Sequence, residues 1–216
     1  MALESDKITD ARLAEQMSQV RRQLEDQLRS PTPDAGPGKP DSPPTAAPGA
    51  AATASPGDPA THPRRLSPGA DRRVAIGADH GGFELKRVLN ELLVELGYEP
   101  YDVGTDSKQS VDYPDFAVKV GRVVARGEAF RGIMIDGAGI GSAMAANKVP
   151  GVRAATCHNE ATVVNSRVHN NANVLVLGSG QVNRGLARRM VRIWLATDFA
   201  GGRHALRVDK IDALDG

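Results

Sequence analysis

The spacing of apolar residues divides this 216-residue chain into three parts. In residues 1–30 apolar positions recur mostly every three or four residues between charged and amide residues, which predicts one amphipathic helix. Residues 31–71 have no such period, and their Pro, Ala, Gly and Ser content predicts a disordered linker. Residues 72–216 alternate short apolar runs with stretches of helical spacing, which predicts the folded domain.

The folded domain is predicted to alternate strands with helices. The strands are expected at 72–79, 98–103, 133–136, 152–157 and 174–177. The helices are expected at 83–97, 113–126, 142–147, 159–167, 185–196 and within 201–214. This order predicts a three-layer α/β/α sandwich with a mainly five-stranded parallel sheet, a Rossmann-like architecture. In such folds ligands bind at the carboxyl ends of the strands.

One of these strand ends carries a glycine-rich loop. In residues 132–148, GIMIDGAGIGSAMAANK, an apolar run ends at Asp136 and passes into Gly137, Ala138, Gly139 and Gly141. Glycines permit a tight turn whose N–H groups face outward, with a helix N-terminus behind them. The pattern predicts an anion cradle with a carboxylate on its lip, suited to stabilising an enediolate while Asp136 moves a proton. An ordinary strand-to-helix turn is the alternative interpretation.

Charge and cysteine content narrow the function classes. The chain has 27 Lys and Arg against 26 Asp and Glu, so its bulk charge gives no sign of nucleic-acid or membrane binding. The single Cys157 excludes an internal disulfide framework and is expected to be a core thiol. No apolar run is long enough to span a bilayer. We therefore expect a soluble cytoplasmic protein.

Five motifs occur in the order and spacing of a known family. They are GADHGGFELK (77–86), DYPDFA (112–117), DGAGIGSAMAANK (136–148), SRVHNNAN (166–173) and GGRHALRVD (201–209). Over residues 72–214 the chain resembles the type B ribose-5-phosphate isomerases and the related galactose-6-phosphate isomerase subunits. The resemblance implies an aldose–ketose isomerase that interconverts ribose 5-phosphate and ribulose 5-phosphate through an enediolate, without metal or cofactor. It also implies a homodimer or a dimer of dimers in which two subunits share each active site.

The resemblance assigns a role to each polar motif. Asp136 stands where many members carry a Cys base, and His169 matches the histidine that opens the sugar ring. The substrate-contacting positions are Asp79, His80, Tyr113, Gly137, Ala138, Gly139, Gly141 and Asn170. The phosphate-binding positions are His80, Arg203 and Arg207. A carboxylate at 136 can transfer the proton if the apolar strand end makes its charged form less favourable.

Two positions depart from the family pattern. Ala138 lacks the hydroxyl that Cys-containing members tend to have there, and Gly180 stands where some members have a third arginine, for which Arg184 is a candidate replacement. An isomerase of another pentose or hexose phosphate, such as galactose 6-phosphate, therefore stays open, and so does a non-catalytic sugar-phosphate-binding or scaffold protein. A nucleotide-binding dehydrogenase is excluded, because GADHGG lacks the glycine spacing that seats a pyrophosphate. His158 is at most an outer contributor to the site.

The amphipathic helix raises the question of a protein partner. A helix on a long tether resembles the encapsulation peptides that direct enzymes into bacterial microcompartments. This resemblance implies that residues 1–30 bind a shell protein and that the enzyme works inside the compartment. A short coiled coil, or a helix folded back on its own domain, is the alternative.

Overall fold

The computed structural model describes residues 66–215. The predicted helix at 1–30 and nearly all of the predicted linker lie outside the described residues, so the docking role of the helix stays a prediction. The described part begins with a turn and a short 3₁₀ helix, Ala70–Arg72, which leads into the first strand.

The centre of the domain is a five-stranded parallel sheet. The strands are β1 (Arg73–Ala78), β2 (Glu99–Asp102), β3 (Arg131–Asp136), β4 (Ala154–Thr156) and β5 (Val174–Gly178). Their order across the sheet is β2-β1-β3-β5-β4, and every neighbouring pair is parallel. The predicted sheet is confirmed.

The described residues contain six α-helices, of which the first five cover the two faces of the sheet. They are α1 (Phe83–Glu95), α2 (Tyr113–Ala125), α3 (Ile140–Ala146), α4 (Glu160–Val168), α5 (Arg184–Ala196) and α6 (Ala205–Asp212). Helices α2 and α3 pack together on one face, where α2 contacts β1 and β3. Helices α1 and α4 both pack against α5 on the other face, where α1 contacts β1 and β2. The three-layer α/β/α architecture is therefore confirmed.

Sequence composition explains why the central strands are buried on both faces. Strands β3 and β5 are buried along their whole length, as a near-continuous apolar run predicts for a central parallel strand. Glycines at two strand positions allow α2 to approach closely: a Cβ added at Gly77 or Gly132 would lie 2.6 or 2.7 Å from a methyl group of Val120. This close packing fixes the start of α2 beside the carboxyl ends of the strands.

Most of the observed element ends lie within two residues of the predicted ones. The last helix differs, because the predicted stretch 201–214 divides into a 3₁₀ turn, Gly202–His204, followed by α6. Gly201 and Gly202 have positive φ angles of 63° and 55°, a conformation that ends regular helix and turns the chain. No helix among residues 66–215 is long and apolar enough to cross a membrane.

Candidate functional site

Asp136 ends β3, and its carboxylate lies inside the glycine-rich loop. It is buried, with 5% of its surface exposed. Oδ1 accepts hydrogen bonds from the backbone N–H groups of Ala138 (2.9 Å) and Gly139. Oδ2 accepts from the Ser142 N–H (3.3 Å) and from the Ser142 hydroxyl (2.5 Å). The predicted position of Asp136 is found, but its carboxylate fills the cradle instead of standing on the lip.

The shape of this loop requires its glycines. Gly139 has a φ of 79°, and a Cβ added there would also lie 3.0 Å from the backbone nitrogen of Gly178. A Cβ added at Gly141 would lie 2.5 Å from the hydroxyl of Tyr113. The Tyr113 ring therefore lies directly against the loop, so this substrate-side candidate is placed beside Asp136.

The loop after β1 lies against the same glycine-rich loop. Asp79 is buried and accepts a hydrogen bond from the N–H of Gly82 (3.0 Å), which closes the turn into α1. His80 is exposed, and its Nδ1 accepts from the N–H of Val111 (3.2 Å). A Cβ added at Gly81 would lie 3.5 Å from the nitrogen of Gly137. We call Asp79, His80, Tyr113, Asp136 and residues 137–141 the strand-end cluster.

A second group of predicted site residues meets at the end of α4. His169 follows α4 directly, and its ring stacks on His204 with centroids 4.4 Å apart and an interplanar angle of 12°. The Nδ1 of His169 lies 2.9 Å from the Nδ2 of Asn165. Arg203 and Arg207 are exposed and lie close enough for their charges to act on His169. We call His169, Asn170, Arg203, His204 and Arg207 the helix-end cluster.

The surroundings keep both stacked imidazoles neutral near pH 7. Burial lowers the pKa of His169 below its ordinary value of 6.5, and the positive charges of His204, Arg203 and Arg207 lower it further. The pKa of His204 is lowered by burial and by the same two arginines. Two neutral rings in contact can exchange hydrogen bonds with a sugar without repelling each other.

A buried guanidinium holds the chain around His169 in place. Arg167 donates to Asn171 Oδ1 (2.9 Å), to the carbonyl of Ala172 (2.6 Å) and to the carbonyl of Thr197 (3.2 Å). Burial lowers the pKa of Arg167 to about 9. Asn171 has a φ of 46°, the one positive value of a residue other than glycine in the described chain. Arg167 therefore stabilises a sharp turn that presents His169 and Asn170.

The strand-end cluster lies at the carboxyl ends of the strands, and the helix-end cluster lies at their amino ends. Helix α4 runs back from the carboxyl end of β4, so His169 lies at the amino ends of the strands, shortly before β5 begins. Arg153, just before β4, donates to the carbonyl of Asn171 (3.2 Å) and to Asp212 of α6 (2.6 Å), which places α6 at that edge too. Asp136 lies at the other end of β3, whose six residues span about 17 Å. One chain therefore does not bring Asp136 and His169 together.

The remaining predicted residues fall in expected places. Gly180 is exposed near the glycine-rich loop, where an added Cβ would lie 3.1 Å from the carbonyl of Gly137. Arg184 begins α5 at the same end of the sheet, and its charge acts on Glu84. The pKa of Glu84 is lowered mainly by a hydrogen bond from Lys108, and the charges of Arg87 and Arg184 lower it further. Cys157 is buried, and burial raises the pKa of its thiol, as expected of a core residue. His158 is exposed.

Among residues 66–215, no group of three or more His, Cys, Asp or Glu side chains is arranged to hold a metal ion.

Comparison with known proteins identifies the relatives of this chain. A family model described as Ribose/Galactose Isomerase matches residues 74–211. The chain belongs to the ribose/galactose isomerase family. It is 44% identical over 144 residues to ribose-5-phosphate isomerase B of Escherichia coli, covering 67% of this chain and 97% of that protein.

Solved structures of the family share the fold. The ribose-5-phosphate isomerase B of Clostridium thermocellum matches with a TM-score of 0.65 and 50% identity, covering 66% of this chain and 97% of that one. The type B ribose 5-phosphate isomerase of Trypanosoma brucei matches with a TM-score of 0.65 and 46% identity, covering 67% of this chain and 99% of that one. The family match begins at residue 74, so it does not include residues 1–71, where the sequence predicts an amphipathic helix and a linker.

Three residues of this family member contact the predicted site residues but were not among those predicted. Ser142 holds Asp136, Asn165 contacts His169, and His204 stacks on His169. His204 lies inside the motif GGRHALRVD, so its motif position was a signal for it. Ser142 likewise lies inside the motif DGAGIGSAMAANK. Asn165 lies outside the motifs, one helical turn before His169, where only the helical spacing could have indicated it.

Proposed function

We propose that this chain interconverts ribose 5-phosphate and ribulose 5-phosphate. The observation that carries the proposal is the strand-end cluster, in which a buried carboxylate, a set of backbone N–H groups and an exposed tyrosine and histidine meet at one edge of a parallel sheet. This is the edge at which α/β proteins bind ligands. The names and 44–50% identities of the relatives support the choice of substrate.

Asp136 is the proposed proton-transfer base. It takes the proton from C2 of the open-chain aldose and returns it to C1, while a hydroxyl proton moves from O2 to O1, so that nothing is gained or lost overall. A carboxylate has about four acceptor positions, and here each one already has a donor. The Ser142 hydroxyl is the donor that can leave, because it turns about one side-chain torsion whereas the N–H groups are fixed by the backbone.

The glycine-rich loop then stabilises the intermediate. The N–H groups of Ala138 and Gly139 stay on Oδ1 of Asp136, and their partial positive charge lies beside the place where the enediolate oxygens become negative. Donors fixed in advance in a buried site stabilise such charge at little reorganisation cost. The Tyr113 hydroxyl beside Gly141 is positioned to bind a sugar oxygen.

We propose that the helix-end cluster of a second copy completes the site. His169 would then assist ring opening, Asn170 would bind a sugar hydroxyl, and Arg203 and Arg207 would hold the phosphate with His80. Neither arginine has an ion-pair partner within residues 66–215, which leaves both available for a phosphate. Exposed apolar side chains lie near both clusters and support burial between two copies: Tyr113, Ile140 and Met144 at one, Leu206, Ile211 and Leu214 at the other. A homodimer, alone or paired into a tetramer, is the proposed assembly.

A different sugar phosphate is the second candidate substrate. Ala138 and Gly180 are both exposed at the strand-end edge and carry neither the hydroxyl nor the guanidinium that the resemblance leads us to expect there. Such a pocket has more room and fewer polar groups, which would suit another pentose or hexose phosphate, galactose 6-phosphate included.

The deciding experiment is isomerisation of ribose 5-phosphate by the purified full chain, in buffer with a chelator. Asp136→Asn is expected to lower kcat at least about 100-fold, the scale of a lost general base. Asp71→Asn, at an exposed position before β1, is the matched control and should leave the rate unchanged. No turnover of ribose 5-phosphate, with turnover of another sugar phosphate, would select the second candidate. No turnover of any sugar phosphate, with binding retained, would indicate the non-catalytic alternative.

We further propose, from the sequence alone, that the enzyme is cytoplasmic and that the helix predicted at residues 1–30 directs it into a microcompartment. Deletion of residues 1–65 is expected to leave isomerase activity intact and to abolish co-localisation with a shell. Loss of activity on deletion would instead mean that the helix takes part in the enzyme's own assembly.

A further inference from the structure

His169 uses its two ring nitrogens differently. Nδ1 lies 2.9 Å from the Nδ2 atom of Asn165, while Nε2 is buried and has no hydrogen-bond partner within residues 66–215. A neutral imidazole has one nitrogen that donates and one that accepts. The direction of the contact with Asn165 therefore decides which nitrogen of His169 carries the proton.

A backbone carbonyl fixes that direction. The Nδ2 of Asn170 lies 3.4 Å from the carbonyl oxygen of Asn165 and 3.3 Å from its side-chain Oδ1. Since a carbonyl can only accept, Asn170 presents its NH₂ group there, and Asn165 must turn Oδ1 toward that group. The NH₂ group of Asn165 then faces His169, so Nδ1 accepts and the proton lies on Nε2.

We propose that Asn165 is a positioning residue that holds His169 in the neutral tautomer protonated on Nε2, so that His169 meets the sugar as a hydrogen-bond donor. The inference rests on the proposed function, in which His169 faces the substrate. The imidazole of His169 keeps its proton in this role. As the sugar ring opens, the C1–O4 bond breaks, the O1 hydroxyl releases its proton to water and O4 takes a proton from water. The Nε2–H group donates a hydrogen bond to O4 and stabilises the negative charge that develops on it.

The charged neighbours act in the same direction as Asn165. His204 stacks on the ring, and Arg203 and Arg207 add positive charge from the 3₁₀ turn and from α6. Burial and these charges lower the pKa of His169, which disfavours a doubly protonated ring. A doubly protonated ring would also need Nδ1 to donate, and the NH₂ group of Asn165 cannot accept. A buried N–H without a partner is costly, so we expect a small shift of the half-buried imidazole when substrate binds, in which a sugar oxygen becomes its acceptor.

The test is a two-dimensional ¹⁵N–¹H NMR spectrum of the full chain labelled in its histidine rings, recorded at pH 7 without substrate. The His169 signals are identified by their loss in His169→Gln. The expected pattern has the proton on Nε2. In Asn165→Asp the carboxylate accepts from Nδ1, so a proton on Nδ1 is expected. In Asn165→Leu no partner remains, and a mixture of tautomers is expected.

Asn159→Asp is the matched control. It adds the same charge to the first turn of α4, keeps an oxygen that accepts from the Thr162 N–H, and lies about 15 Å of helix from His169. It should leave the His169 pattern unchanged. Asn165 itself is exposed, so its variants are expected to fold, and a melting curve checks this.

The second readout is the kcat of the same Asn165 variants. Asn165→Leu is expected to lower kcat for ribose 5-phosphate roughly tenfold, the scale of one misdirected hydrogen bond. A wild-type ring protonated on Nδ1, or a pattern that Asn165→Asp leaves unchanged, would overturn the inference whatever the activity. An inactive wild type with the Nε2 pattern would overturn the proposed function and leave the tautomer assignment standing.

Discussion

The hydroxyl of Ser142 donates a 2.5 Å hydrogen bond to Oδ2 of Asp136, and both side chains are buried. Ser142 has no exposed surface, so its hydroxyl cannot reach a ligand and acts on the carboxylate alone. A hydrogen bond to a charged group contributes about 1.5–3 kcal/mol to stability. This contact keeps Asp136 ordered while the site is empty, and it is also the one that must open for proton transfer.

Removing this hydroxyl is expected to separate stability from catalysis. Ser142→Ala should lower the free energy of unfolding by about 1–3 kcal/mol, because the buried carboxylate loses one donor. It should keep kcat at or above the wild-type value, since one acceptor position of Asp136 becomes free. Urea unfolding and steady-state kinetics on the same preparation measure both quantities.

The double variant Ser142→Ala/Asp136→Asn checks that the stability loss comes from this contact. Two residues in contact should show a coupling energy, so the two single losses should not add. Additive losses, or a kcat that falls with Ser142→Ala alone, would contradict the role given to the hydroxyl.

Mixing two inactive chains is expected to restore activity. In a hybrid dimer of Asp136→Asn and His169→Gln, the strand-end cluster of the second chain and the helix-end cluster of the first are both intact. Half of the dimers are hybrids after random exchange, and each has one intact site of two, so about a quarter of wild-type activity should return. The measurement is activity after the mixed chains are unfolded and refolded together.

Two controls interpret the mixing experiment. Each variant refolded alone should stay inactive, and a mixture of two variants within one cluster, Asp136→Asn with Tyr113→Phe, should recover nothing beyond what Tyr113→Phe has by itself. Absence of recovery in the first mixture would show that the helix-end cluster does not complete the site in trans.

The arginines of the helix-end cluster are expected to act through the phosphate. Arg203→Met or Arg207→Met should raise KM for ribose 5-phosphate about 10- to 100-fold, because each removes one charge-assisted contact worth roughly 1.5–3 kcal/mol. Arg122→Met, at an exposed position of α2, is the matched control. An unchanged KM in both cluster variants would place the phosphate elsewhere.

The half-buried imidazole of His169 predicts how the free energy of unfolding depends on pH. Burial lowers its pKa in the folded chain, so below the ordinary value of 6.5 the unfolded chain binds a proton that the folded chain does not. The free energy of unfolding should therefore fall as the pH is lowered from 7.5 through 6.5 to 5.5. Urea unfolding should show a smaller fall in His169→Gln, and an equal fall would rule out this contribution.

Much of the architecture could be predicted from the sequence. The continuous apolar runs of β3 and β5 indicate strands buried on both faces, and the order of elements leaves a parallel sheet as the simplest arrangement. Asp79 and Asp136 follow directly from this, since both stand where a parallel strand ends. The motifs supplied the candidates that no periodicity would indicate, such as Arg203.

The orientation of side chains within the site could not be predicted. Whether Asp136 faces outward or inward depends on the φ angle of Gly139 and on the direction of the Ser142 hydroxyl. Both residues lie in the motif DGAGIGSAMAANK, but the motif does not specify these angles. The stacking of His169 on His204 joins residues 35 positions apart through the turn at Gly201 and Gly202. Such contacts depend on loop geometry, which residue spacing does not encode.

Asp136 and His169 of one chain lie at opposite ends of the strands. The turnover rate per chain should therefore depend on the concentration of the protein. In the proposed dimer a lone subunit has no complete site, so turnover per chain falls on dilution as subunits separate and recovers when more chain is added. Two-fold symmetry makes sites form and disappear in pairs. Crowding many copies into a small volume would therefore raise the output of each molecule as well as their number.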